Sequence, residues 1–269
     1  MSKRRIIICA LVLAVLQVNH NYLTGNSVVN ASFSITDAPL DSYFSWFYKV
    51  LSCDVPKPEY EVFKKALTGF FNLKARNKIK NNLLSIIDFS LSSTMERMWI
   101  IDMTKLKVVH YSLVAHGRNS GDEFASSFSN KPSSYQSSLG FYLTDEIYYG
   151  KHGMSLYLDG AEPEVNDKAR ERAIVIHGAN YVSRDFIRNY GRLGRSFGCP
   201  SIPMESHEKI ISLLSGRSCI YMYYPDEKYL EKSMLFSMET AVAGINNLLS
   251  ETSVTFDYYQ EVVSIVGNY

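Results

Sequence analysis

The sequence lacks an excess of either charge. Its 28 lysines and arginines are matched by 27 aspartates and glutamates, so there is no electrostatic reason to expect a nucleic-acid partner. It has no internal repeat, which excludes a solenoid. No CxxC or HExxH pair occurs; without close ligand spacing, His116, His152, His177 and Cys199 are not read as a zinc set, and no metal or cofactor is expected. It also lacks an apolar run long enough to span a membrane comfortably. Residues 6–18 are thirteen positions without a charge, short for a span and suited to the apolar region of a signal peptide.

What is present begins with that address. Ser2-Lys3-Arg4-Arg5 is a basic lead-in, and small residues near Ala31 offer a cleavage site. Residues 1–31 are therefore read as a signal peptide, with an uncleaved anchor as the alternative, and the body is expected in the periplasm or cell envelope. Any membrane contact is expected only through this segment. Export leaves Cys53, Cys199 and Cys219, an odd number, so at least one thiol is unpaired or pairs between chains. Cys53 and Cys219 are favoured as core residues, with a bridge between them as the other option. A hydrophobic content of 46% provides for a sizeable core. The 19 tyrosines suit a β-rich core or a polar groove.

Residues 32–92 read as a helical N-terminal segment. Tyr60, Phe63, Leu67, Phe70 and Phe71 recur at helical spacing, and the apolar LLSIIDFSLS completes a helical hairpin. From residue 93 to 225 the pattern is mostly strands. RMWIIDM and KLKVVHYSLVAHG form a pair turning at Thr104-Lys105. SLGFYL, MSLYLDG, AIVI and SCIYMYY follow, with a helix before the last. Residues 166–172 read as helical. The serine-, asparagine- and glycine-rich stretch 118–136 is long for a connector, so it reads as a binding element or lid. Residues 226–269 form a helical C-terminal extension that packs on the core or wraps over the groove. The fold class is α+β, with a mostly-β central domain.

Two residues carry chemistry. His177 ends the buried strand AIVI and precedes Gly178, which holds its ring firmly at a strand end, as a general base requires. Cys199 lies in the glycine-lined turn Arg195-Ser196-Phe197-Gly198-Cys199-Pro200. A cysteine nucleophile acts as the thiolate and needs positive charge or a base nearby. The amides of Gly198 and Cys199 are candidate oxyanion donors. Tyr181 and Arg195 are candidate substrate contacts, and His116, which also ends a strand and precedes a glycine, is read as a groove residue or a partner of the site.

These residues sit in stretches that resemble the murein L,D-transpeptidase (YkuD-like) catalytic domain, in a divergent branch whose motif ends G-R-S-x-G-C-P. VAHGRNSG (114–121), FSNKPSSYQSSLGFYLT (128–144), YYGKHGMSLYLDG (148–160), RAIVIHGANYVS (172–183) and GRLGRSFGCPSIP (191–203) follow in the expected order. The resemblance implies a cysteine enzyme that acylates itself with a peptidoglycan stem tetrapeptide, releases D-alanine and passes the acyl group to an amine. It implies Cys199 as nucleophile, His177 as base, the Gly178 carbonyl as its orienter and Gly198 with Cys199 as oxyanion donors. His116, Tyr181, Arg195 and Ser196 fall on the substrate side. An L,D-carboxypeptidase, in which water takes the acyl group, and a non-catalytic wall-binding protein are the rival readings. The chain departs from the common Ser/Thr-His-Gly-Cys pattern by carrying Phe197 where the histidine belongs. The helical flanks have no counterpart in the resemblance, and nothing in the sequence speaks to the oligomeric state.

Overall fold

A computed structural model of the chain describes residues 40–251. The basic lead-in and apolar run at the N-terminus, and the tail from 252, lie outside the described residues. Among the described residues no helix is long and apolar enough to cross a membrane.

Two helices lead in, α1 (Leu40–Val50) and α2 (Tyr60–Ala75). The Glu59 carboxylate caps α2 by accepting from Val62 N at 3.0 Å, satisfying one of the orphan amides of its first turn. Its buried face includes Val62, Phe63, Ala66, Leu67, Phe70 and Phe71. The helix lies so close to the sheet that a Cβ on Gly69 would sit 2.0 Å from the Phe141 ring.

Eight strands form one sheet: β1 (Leu83–Asp88), β2 (Met98–Asp102), β3 (Lys107–Ser112), β4 (Gly140–Gly150), β5 (Gly153–Gly160), β6 (Val175–Ala179), β7 (Ser201–Pro203) and β8 (Cys219–Tyr223). Their spatial order is β3-β2-β1-β8-β4-β5-β6-β7. The two ends of the sheet approach each other. Ala115, just past β3, donates its N–H to Ser201 O on β7 at 2.8 Å, and Gly117 bridges Ser196. The result is a near-barrel, with the 114–117 segment closing onto the turn that carries Cys199.

Residues 83–88 correct the expected helical hairpin. They form β1, central in the sheet, antiparallel to β2 and parallel to β8. All six residues are buried. A strand covered on both faces reads as an unbroken apolar run, which periodicity does not separate from a buried helix. The sheet thus begins at Leu83. Residues 166–172, expected as helical, are turns, because the Asn166 side chain bonds Leu139 O, Phe141 O and Glu162 N instead.

Among the described residues four further α-helices follow β6: α3 (Arg184–Tyr190), α4 (His207–Leu214), α5 (Glu227–Lys232) and α6 (Met238–Glu251). α6 packs on α2, where a Cβ on Gly244 would meet Phe71 O at 1.8 Å. Asn72 Nδ2 donates to Ser237 O at 2.7 Å. The described part of the C-terminal extension therefore packs on the core against the N-terminal helix. Cys53, Cys199 and Cys219 are all free thiols.

Candidate active site

β6 and β7 run parallel, with His177 beside Ser201 and Gly178 beside Ile202. Alternate residues of a strand share a face, so this register aligns the His177 strand with the end of the cysteine turn. Cys199, two residues before Ser201, comes level with Val175. Val175 N donates toward its Sγ at 3.5 Å, and Sγ lies 3.5 Å from Ala173 O.

The turn itself is built by Ser196. Its Oγ donates to Cys199 O at 2.7 Å and accepts Gly198 N at 3.0 Å. Gly198 has φ +124, a region L side chains rarely adopt. A Cβ there would also lie 2.8 Å from Gln136 O and 3.3 Å from Arg172 Nη2. Gly198 O accepts from the buried Ser137 Oγ at 3.1 Å. In this geometry the Gly198 amide is committed to Ser196.

Sequence reasoning missed Arg172. Its guanidinium donates to Ser129 O (2.7 Å), Ser138 Oγ (2.5 Å), Gln136 O (2.5 Å) and Ser134 Oγ (3.3 Å). It thereby holds the long serine-rich loop against the turn that carries Cys199. Tyr135 on that loop takes a left-handed backbone, φ 56, and its ring meets Phe197 at 4.8 Å. Phe197 is 64% exposed, so the residue that departs from the common motif forms part of the rim beside Cys199.

His177 is buried. Its Nδ1 lies 2.9 Å from Gly178 O. A carbonyl only accepts, so Nδ1 carries the proton and Nε2 is the acceptor, met by Ser201 Oγ at 2.9 Å. Burial pulls the His177 pKa below its ordinary value, the Gly178 carbonyl opposes this, and His152 and His207 push it further down. The His152 ring stacks on His177 at 4.3 Å. Burial pushes the Cys199 thiol up, against the pull of the Val175 amide and Arg172. Both shifts favour the neutral form of the group.

The residues expected on the substrate side are placed differently from one another. Arg195 is occupied by the loop it faces, donating to Gly121 O at 2.9 Å and Asp122 Oδ1 at 2.7 Å. The Tyr181 hydroxyl turns inward to Ser201 Oγ at 3.0 Å. His116, expected as a groove residue or partner of the site, is only 1% exposed, and its backbone carbonyl accepts Ser196 N at 3.0 Å. Its Nδ1 lies 2.8 Å from Nη2 of the fully buried Arg97. Arginine only donates, so Nδ1 is the acceptor and Nε2–H points at Gly121 O, 3.4 Å away. His116 thus supports the turn that carries Cys199 from beneath.

Burial, reinforced by Arg97, lowers the His116 pKa to about 4. An imidazole depressed in the folded state contributes stability that is complete above its unfolded pKa near 6.5 and is lost as pH falls towards the folded value. The linkage amounts to about 3 kcal/mol. His116→Asn keeps an acceptor for Arg97 without a titrating group. Melting curves between pH 7 and 4 are expected to fall less steeply for this variant than for the native chain.

Residues 55–223, more than half of the chain, match the L,D-transpeptidase catalytic domain family. The chain belongs to that family. No curated protein matches it. Among solved structures it is similar to an L,D-transpeptidase from Mycobacterium smegmatis, at 10% identity, TM-score 0.33, over 53% of this chain and 59% of that one. An L,D-transpeptidase in complex with imipenem gives the same values. An L,D-transpeptidase from Stackebrandtia nassauensis is 8% identical, TM-score 0.33, over 70% of this chain and 92% of that one. The chain thus spans 59% of the length of the first two, and with scores this low the assignment rests on the family match. That match includes α2 and β1 as well as the site.

Proposed function

We propose that the chain is a cysteine-dependent peptidoglycan L,D-transpeptidase. The observation that supports this reading is the β6–β7 register, by which His177, with Nε2 as its acceptor nitrogen, lies on the strand beside the cysteine turn. In this reading Nε2 takes the Cys199 proton and sulfur attacks the carbonyl that precedes the terminal D-alanine of a stem tetrapeptide. The Cys199 amide meets the oxyanion, with the Gly198 amide joining once released from Ser196. The C–N bond breaks, His177 returns its proton to the departing amine and a thioester remains on Cys199. A stem-peptide amine then displaces the thiolate and closes a cross-link. Phe197 and Tyr135 form the rim along which the peptides approach, with Arg195 holding the loop behind it. The basic-then-apolar residues 2–18 support export to the compartment where that polymer lies.

Incubation with a disaccharide tetrapeptide, read by mass spectrometry, tests the acceptor. A cross-linked dimer is the expected product. Tripeptide alone would replace the reading with an L,D-carboxypeptidase, and unchanged substrate would leave a wall-binding protein.

A further inference from the structure

The most specific feature that the proposed mechanism leaves unused is the partner of the base. Ser201 Oγ lies 2.9 Å from His177 Nε2, and Tyr181 OH lies 3.0 Å from Ser201 Oγ. Ser201 is fully buried. Because Nδ1–H is spent on Gly178 O, the direction of every bond in the chain follows. Ser201 O–H must donate to Nε2, and Tyr181 O–H must donate to Ser201.

We propose that Ser201 and Tyr181 form a two-hydroxyl relay that holds Nε2 as a proton acceptor and reverses direction when His177 is protonated. Before transfer the donors run Tyr181 to Ser201 to His177. As the Cys199 proton arrives, the Ser201 hydroxyl swings off Nε2 to the Tyr181 oxygen, whose own O–H turns away, and frees the lone pair; after transfer Nε2–H donates to Ser201 Oγ. No bond in the chain is lost in either state. A hydroxyl both donates and accepts, which an amide nitrogen or a carbonyl in the same place cannot do. The bond to the imidazolium is charge-assisted and the stronger of the two, so the relay favours the protonated base and offsets part of the burial that opposes it. Both residues are positioning residues, acting on the proton through His177.

The titratable groups around His177 are His152 from the β4–β5 turn, His207 from α4, Cys199 before β7 and Tyr181 after β6. The inference rests on the reading of His177 as the base, but it is tested on the imidazole itself, without any peptidoglycan substrate. The measurement is 15N–1H NMR of the histidine-labelled intact chain, with the His177 signal assigned from its loss in His177→Gln. In the native chain the neutral ring is expected as the Nδ1–H tautomer with Nε2 hydrogen-bonded. Ser201→Ala is expected to lower the His177 pKa by about half a unit to one unit, the scale of one hydrogen bond. Tyr181→Phe is expected to lower it by less, and the double variant no further than Ser201→Ala alone, since Tyr181 acts only through Ser201. A pure packing role would leave the pKa where it is. An Nε2–H tautomer in the native chain, an unchanged or raised pKa in the single variants, or additive effects in the double variant would overturn the relay. Should Ser201→Ala fail to fold, Tyr181→Phe removes one hydroxyl without touching the strand and decides the matter by the same pKa.

Discussion

Replacing Cys199 with alanine is expected to abolish acyl transfer, with a loss on the order of 10^4-fold or more in turnover. The size follows from the role: among the described residues no other thiol reaches the site. Cys219 is buried on β8, between β1 and β4 in the sheet, and Cys53 packs at the N-terminal end of the fold. The substitution is mild structurally. It removes one half-buried sulfur whose hydrogen bonds, with Val175 N and Ala173 O, are both long at 3.5 Å. Thermal unfolding should therefore change little while product formation disappears. A variant that loses both would mean that the turn, not the sulfur, had been damaged.

His177→Gln is expected to lower the acylation rate by about 10^2- to 10^4-fold, the usual contribution of a positioned base. The pH profile should separate this from misfolding. In the native protein the base must be neutral, and its pKa lies below the ordinary histidine value because of burial. Activity should therefore rise with pH along an acid limb that lies below about 6.5 and then level off. The thiol does not supply that limb, since burial raises it. In His177→Gln the acid limb should vanish, leaving a slow rate that climbs with thiol ionisation alone. The measurement is the rate of Cys199 acylation across pH 4.5 to 10, followed by intact mass.

The difference between what sequence and structure disclose has a physical pattern. Strands with one face towards the core, such as β3 with its mixed burial, alternate and are legible. β1 is not, because its pairing with β8 joins residues more than a hundred positions apart and burial on both faces erases the alternation. The short helix α3 was within reach: Ser183 Oγ caps Phe186 N at 3.2 Å and Gly191 closes it with φ 72, a start-and-stop pair visible in the residues.

The same contrast holds at the site. His177 and Cys199 announce themselves through glycine neighbours. Ser201 becomes a partner of the base only through the parallel register of β6 and β7, and Arg172 becomes the clamp of the serine-rich loop only once that loop is folded over it. His116 shows the converse. Its place ahead of a glycine imitates that of His177, which the structure sets at the middle of β6, but Arg97, from the neighbouring strand region, claims its ring. Local pattern finds residues that need a special backbone, whereas register and burial decide what each side chain touches.

The central claim is that Cys199 carries the acyl group. Brief incubation with a stem tetrapeptide, acid quench, proteolysis and peptide mass spectrometry test it most directly. The account predicts a tripeptide thioester on the fragment containing Cys199, discharged when an amine acceptor is added and absent from Cys199→Ala. Product formation without that adduct, or an equal yield from Cys199→Ala, would contradict it.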